Sequence, residues 1–168
     1  MIILMAGLPG TGKSTLAKAL ATELSGTILN KDEIRHAIFG PQVEYSTAQD
    51  DFCMELMLQA AGYIWKKDPA RLIFFDGRTF SRRYQIDRVI EFANQERQPW
   101  RILECTCSEV TAQARLEQPS EHAARNRDYS LYLRMKRRFE SIVASKMAVN
   151  TDNPLADCIP MAIKFLKS

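Results

Sequence analysis

The chain has 168 residues, 46% of them apolar and 26% charged, which fits one ordinary globular domain and excludes a disordered or low-complexity polymer. Its formal charge of +3 suits an anionic substrate without demanding nucleic acid. Met1 runs directly into apolar Ile2–Ala6, with no basic segment before it and far too few residues to span a bilayer, so a cytoplasmic protein without a membrane partner is expected.

The predicted elements alternate. Residues 2–6 read as a buried strand, and a helix with Leu16, Leu20 and Leu24 on one face closes at Ser25-Gly26. Residues 27–30 form the second strand, followed by a helix over Glu33 to Phe39. Ser46 and Gln49 stand in capping-box spacing ahead of a helix striped by Phe52, Leu56, Ala60 and Ile64. Residues 71–76 make the third strand, and Ile86, Val89, Ile90 and Ala93 mark a helix stopped before Pro99. Residues 101–107 make the fourth strand, with Cys105 and Cys107 on one face. Leu131, Met135, Phe139 and Ile142 predict a long helix, and residues 147–151 the fifth strand. Asn153-Pro154 then caps a last helix bearing Ile159, Ala162, Ile163 and Leu166. The four cysteines lack metal spacing and read as reduced core residues.

Strands alternating with helices predict an α/β fold, a parallel sheet covered on both faces. Ligands of such sheets lie beyond the carboxyl ends of the strands. The first strand end carries Gly7-Leu8-Pro9-Gly10-Thr11-Gly12-Lys13-Ser14, the P-loop pattern G-x-x-x-x-G-K-[ST]. Glycines let successive backbone N–H groups converge on anionic oxygens, and the following helix turns its positive end to the same place. A chance match in a chain of this length is expected less than about one time in a hundred. Pro9, Gly10, Thr11, Gly12, Lys13, Ser14 and Thr15 are therefore the predicted nucleotide-binding residues, with Lys13 on the β- and γ-phosphates and Ser14 on Mg²⁺. The expected fold is a three-layer P-loop NTPase of nucleoside-kinase type with a five-stranded parallel sheet.

Asn30-Lys31-Asp32 imitates the guanine-reading Asn-Lys-x-Asp, but Glu33 occupies the fourth position. The run also follows Ser14 too closely for a G protein, and no Asp-x-x-Gly switch motif follows a strand. What remains is a kinase, which positions an acceptor, neutralises charge and excludes water. ATP is favoured over GTP. A proton-accepting group is expected on the strand end neighbouring the P-loop. Asp32 fills that place, either as general base or as cap of its helix. Arg35, three residues on, shares its face and either grips an anionic acceptor or is a plain surface arginine. Asp76 ends the third strand as a second candidate for Mg²⁺. Arg78, Arg82 and Arg83 follow, with Arg82 preferred to Arg83 as an acceptor contact.

"GLPGTGKST", "LNKDEIR" and "FFDGRTFSRR" resemble small P-loop kinases grouped around the kinase half of phage polynucleotide kinase, zeta-toxin-like kinases and chloramphenicol phosphotransferase. The resemblance covers nearly the whole chain and implies Asp32 as general base and Arg35 on the acceptor. It also implies a lid, about residues 116–128, where Arg125 or Arg127 stabilises the moving phosphoryl group. Arg115 would pack on the adenine, and 150–152 either border the base or cap the last helix. The arginine spacing departs from the phage enzyme, which leaves the lid arginine open, and His122 reads as a surface residue. Acceptor contacts are expected from about 32–68 and 77–83, including Arg35, Tyr45, Asp50, Asp51, Arg78 and Arg82.

These readings lead to an ATP- and Mg²⁺-dependent kinase acting on a hydroxyl of a polar small molecule, phosphorylated or not. A polynucleotide 5′-hydroxyl kinase is the alternative raised by the basic run Arg134, Lys136, Arg137 and Arg138. No aromatic platform is interleaved with those charges, so nucleic acid is not favoured. A non-catalytic ATP-binding regulatory module is the third reading.

Overall fold

The computed structural model describes residues 1–118 and 128–168. Five strands pair in parallel in the order β2-β3-β1-β4-β5. They are β1 (Ile2–Ala6), β2 (Thr27–Asn30), β3 (Ile73–Asp76), β4 (Trp100–Thr106) and β5 (Met147–Asn150). The intervening helices are α1 (Lys13–Glu23), α2 (Lys31–Phe39), α3 (Thr47–Lys67), α4 (Arg83–Gln95), α5 (Glu109–Glu117), α6 (Tyr129–Arg138) and α7 (Leu155–Leu166). A single 3₁₀ turn, Gly40–Gln42, joins α2 toward α3. No described helix is long and apolar enough to cross a membrane.

The continuous apolar run of β1 follows from burial on both faces. Ile2, Leu4 and Ala6 point to one side, where Met57, Leu58, Ala61 and Trp65 of α3 and Ile86, Val89 and Ala93 of α4 cover them. Ile3 and Met5 point to the other, against Leu16, Ala17 and Leu20 of α1 and Cys158, Ala162 and Leu166 of α7. Each fully buried Ile or Leu of this three-layer arrangement stabilises it by about 1.5–3 kcal/mol. The same layering buries Cys53, Cys105 and Cys158, while Cys107 is half-buried; all four thiols are free.

Several sequence expectations change. On α3 the buried face is Cys53, Met57, Ala61 and Trp65, one position off the expected stripe, and Phe52 is half exposed. Phe52 instead meets Phe39 of α2 edge-on, with ring centroids 5.9 Å apart. The helix is apolar on more than one side, so its stripe is ambiguous. The long helix through Ile142 stops at Arg138. Phe139 and Ile142 leave helical geometry and pack on the α3/α4 core, and Glu140 is drawn away by Arg82 and by the backbone N–H of Arg83. At α7 the cap position is Pro154, with no side-chain cap from Asn153. Finally, β2 is an edge strand and β3 separates it from β1, so Asp32 does not follow the strand next to the P-loop.

Candidate functional site

The P-loop joins β1 to α1 through left-handed backbone at Gly10 (φ 80°) and Gly12 (φ 77°), and through Gly7 at φ 130°. Gly7 is the tightest point: a Cβ there would lie 2.2 Å from the Cys105 carbonyl oxygen. Its N–H donates to the Thr79 carbonyl at 3.1 Å, which ties the loop to the turn after β3. The Thr11 hydroxyl and the Lys13 ammonium both donate to the Leu8 carbonyl, each at 2.7 Å. Pro9, Gly10 and Thr11 are buried, Ser14 is half-buried and Thr15 is exposed. No side chain caps α1 and no acidic residue stands in its first turn, so its amino end keeps its attraction for an anion.

Beside it, Asp76 ends β3 in register with Asn30 at the end of β2. Asn30 Nδ2 donates to Asp76 Oδ2 at 2.9 Å. Asp76 is 2% exposed, and its Oδ1 is buried without a hydrogen-bond partner. A buried carboxylate oxygen without a partner is costly, and a hydrated cation would supply what it lacks. Among the described residues no group of three or more His, Cys, Asp or Glu could hold a metal by itself. One hydroxyl, Ser14, and one carboxylate, Asp76, suit Mg²⁺ held mainly by water and nucleotide phosphates.

Asn30 also caps α2, accepting at Oδ1 from the N–H groups of Asp32 (2.9 Å) and Glu33 (3.2 Å). The cap is therefore Asn30, one residue before the helix starts at Lys31, and not Asp32 as one reading had it. Gly77, at φ 83°, lets the β3–α4 turn press against this helix end; a Cβ there would meet Asn30 Oδ1 at 2.6 Å and the Asp32 nitrogen at 2.9 Å. Close packing of the turn on α2 thus joins the Asp32 helix to the P-loop strand despite the intervening β3.

Asp32, freed from capping, enters a buried ion-pair cluster. Its Oδ1 meets Arg35 at 2.6 Å and Lys31 at 3.1 Å. The same two cations meet Asp50 Oδ1, on the first turn of α3, at 2.5 and 2.8 Å. The Tyr45 ring lies 4.5 Å from the Arg35 guanidinium. Arg78 pairs with Asp51 at 2.6 Å and donates to the Tyr84 hydroxyl at 3.3 Å. Arg35 and Arg78 are both buried, so neither is a plain surface residue.

On the other side of the loop, Arg115 donates to the Thr151 carbonyl at 2.7 Å, the Thr151 hydroxyl at 3.0 Å and the Gly10 carbonyl at 3.4 Å. The Thr151 hydroxyl donates to the Thr11 carbonyl at 3.0 Å. Asp152 accepts from the Ser108 N–H at 2.8 Å and so supports α5, not the last helix. Cys105 lies beneath, its thiol pushed up to about 12 chiefly by burial, against the opposing charge of Lys13.

The structure does not bring every candidate together. Arg82 occupies the cap position of α4 and pairs with Glu140 at 2.8 Å on a half-exposed surface. Arg83 is three-quarters exposed beside Asp87. Arg125, Arg127 and His122, with most of the expected lid, lie outside the described residues. Lys31 and Asn30 are functional neighbours that the sequence did not mark. The signal for Asn30 was local, an Asn one step before a helix that opens with Asp32 and Glu33.

The model of the AAA domain family matches residues 2–154. The chain belongs to the AAA domain family. No curated protein matches its sequence. Among solved structures, this AAA domain is similar to a sugar kinase from a Janibacter species, at 15% identity and TM-score 0.74 over 99% of this chain and 94% of that one. It is similar to the APS kinase CysC of Mycobacterium tuberculosis in complex with AMPPNP and APS, at 14% identity and TM-score 0.75 over 99% and 97%. A gluconokinase from Sinorhizobium meliloti gives 17% identity and TM-score 0.67 over 96% and 87%. At these identities the likeness establishes the fold, that of small P-loop kinases.

Proposed function

We propose that this AAA domain is an ATP-dependent kinase that transfers the γ-phosphate to a hydroxyl of a small-molecule acceptor. The observation that carries this reading is the link through Asn30. One side chain holds Asp76, beside the phosphate cradle, and the first turn of the helix that bears Asp32. The link sets the helix that bears Asp32 at a fixed place relative to Asp76, as a proton acceptor beside the phosphate cradle requires.

In this reading the P-loop amides and Lys13 bind the β- and γ-phosphates. Ser14 and Asp76 would hold Mg²⁺, which neutralises charge on the triphosphate. Arg115 lies toward the nucleoside and Arg125 serves as the lid arginine. Asp32 Oδ accepts the proton of the acceptor hydroxyl as its oxygen bonds to the γ-phosphorus and the bridging bond to ADP breaks. Lys31 and Arg35 fix the Asp32 carboxylate in place. Phosphoryl transfer depends mostly on positioning and charge neutralisation, so fixing the carboxylate is its main service.

The test is transfer of label from γ-labelled ATP to a panel of sugars, polyols, nucleosides and hydroxyl-bearing antibiotics. Transfer that requires Mg²⁺ and disappears in Lys13→Ala is expected. ATP binding without transfer to any hydroxyl would leave only the nucleotide-binding module.

A further inference from the structure

On the acceptor side the three cations and Asp32, 10% exposed, lie inward, while the other two carboxylates reach toward solvent. The Lys31, Arg35 and Arg78 side chains are 7%, 4% and 6% exposed, whereas those of Asp50 and Asp51 are 25% and 43% exposed. Lys31 and Arg35 both meet Asp50 at the same oxygen, Oδ1. Among the described residues no hydrogen bond reaches its Oδ2. The cluster is also balanced: three cations (Lys31, Arg35, Arg78) face three carboxylates (Asp32, Asp50, Asp51).

This arrangement runs against an anionic acceptor. A phosphate or carboxylate would have to displace Asp50 or Asp51 from its cation, an exchange of one anion for another that gains no pairing, because each buried cation already has its carboxylate. It would also meet the outward carboxylates first. A hydroxyl meets no such barrier, since an ionised carboxylate is acceptor-only with lone pairs on both oxygens. The Arg35 N–H groups are already taken by Asp32 and Asp50, and the Tyr45 ring covers one face of the guanidinium.

We propose that the acceptor is an uncharged polyhydroxyl compound, a sugar or polyol, whose hydroxyls donate to Asp50 Oδ2 and to Asp51 while Asp32 takes the reacting one. The proposal rests on the kinase reading above and narrows its acceptor class. Asp50 and Asp51 become specificity-determining residues, and the phosphorylated acceptor left open by the sequence is set aside.

The test uses the full chain with Mg²⁺-ATP and matched pairs: hexoses and pentitols, each against its own phosphate monoester. The uncharged member of a productive pair is expected to have the higher kcat/KM by at least about tenfold, near 1.4 kcal/mol. Asp50→Asn leaves two cations against one carboxylate at the α2 end, and is expected to narrow that ratio about tenfold. Asp51→Asn tests the same shift at Arg78 should the first variant fail to fold. Preference of the wild type for the phosphate ester overturns the proposal, as does a ratio unmoved in both variants. A fluorescent ATP analogue, titrated in parallel, separates the two failures. Binding of the analogue with no transfer to any hydroxyl of the wider panel, nucleosides and antibiotics included, overturns the kinase reading itself, whereas transfer to those compounds or to phosphate esters alone overturns only the acceptor class.

Discussion

Asn30 donates to Asp76 across 2.9 Å while its own carbonyl oxygen caps the helix that carries Asp32. A strand-end asparagine thereby fixes the distance between the two carboxylates on which the proposed chemistry depends. The parallel register Asn30↔Asp76 makes this possible, and the left-handed Gly77 lets the next turn close over it.

Asn30→Ala removes the cap and leaves both Asp76 oxygens without a protein partner. Loss of a cap costs about 1 kcal/mol, and an unsatisfied buried group about 1–3 kcal/mol. A destabilisation of about 2–4 kcal/mol is expected, read as a lower urea midpoint with an unchanged slope. A shift within experimental scatter would show that the link carries no energy.

Gly7→Ala places a methyl 2.2 Å from the Cys105 carbonyl, at a φ of 130° that suits only glycine. β1 or β4 must shift, so this variant is expected to lose ATP binding and thermal stability together. Gly40→Ala is the control. A Cβ there meets nothing within 4 Å, so its effect is confined to backbone strain at φ 48° and ATP binding is retained. Calorimetric titration and a thermal melt on both variants check the pair.

Cys107 lies beside the P-loop, its sulfur 3.9 Å from the Gly10 carbonyl. Burial pushes its thiol up, with the charge of Arg115 opposing. Alkylation of the native protein is expected to reach Cys107 before the three buried cysteines, and to speed up as pH rises toward its pKa. Saturating ATP should slow it. Equal rates with and without ATP, by mass spectrometry, would contradict occupancy of the loop.

Asp152 is held below the usual carboxylate range by hydrogen bonds from Thr111 and from the Ser108 backbone. A folded-state pKa below the unfolded one means that its stabilisation is complete above the ordinary value, about 3.9, and is lost as pH falls through the folded value. Amide protection at the start of α5 is therefore expected to weaken below about pH 4. Asp152→Asn should show weaker protection at neutral pH and a flatter acid response.

Much of this was legible because the responsible signals are local. Ile2–Ala6 is apolar throughout because both faces are covered, the glycine spacing of residues 7–14 is dictated by the turn it makes, and Asp76 follows directly on a buried strand. The rest depends on partners distant in sequence. Lys31 carries no signal of a role until α3 brings Asp50 to it, and Arg82 reads as an acceptor contact until Glu140 takes it. Helix α3 offers two apolar faces, and only the packing of Phe52 on Phe39 shows which one turns toward α2. Helix α6 ends early because Phe139 and Ile142 gain more by joining the core than by extending it.

The proposed role of Asp32 is on the acceptor and not on the nucleotide. The most direct measurement is single-turnover transfer from γ-labelled ATP to a productive acceptor, wild type beside Asp32→Asn, with ATP affinity titrated in both. The transfer rate is expected to fall by about 10²–10⁴-fold, while the affinity for ATP changes by less than about threefold, under 1 kcal/mol. An unchanged transfer rate in Asp32→Asn, or a loss explained entirely by weakened ATP binding, would contradict it.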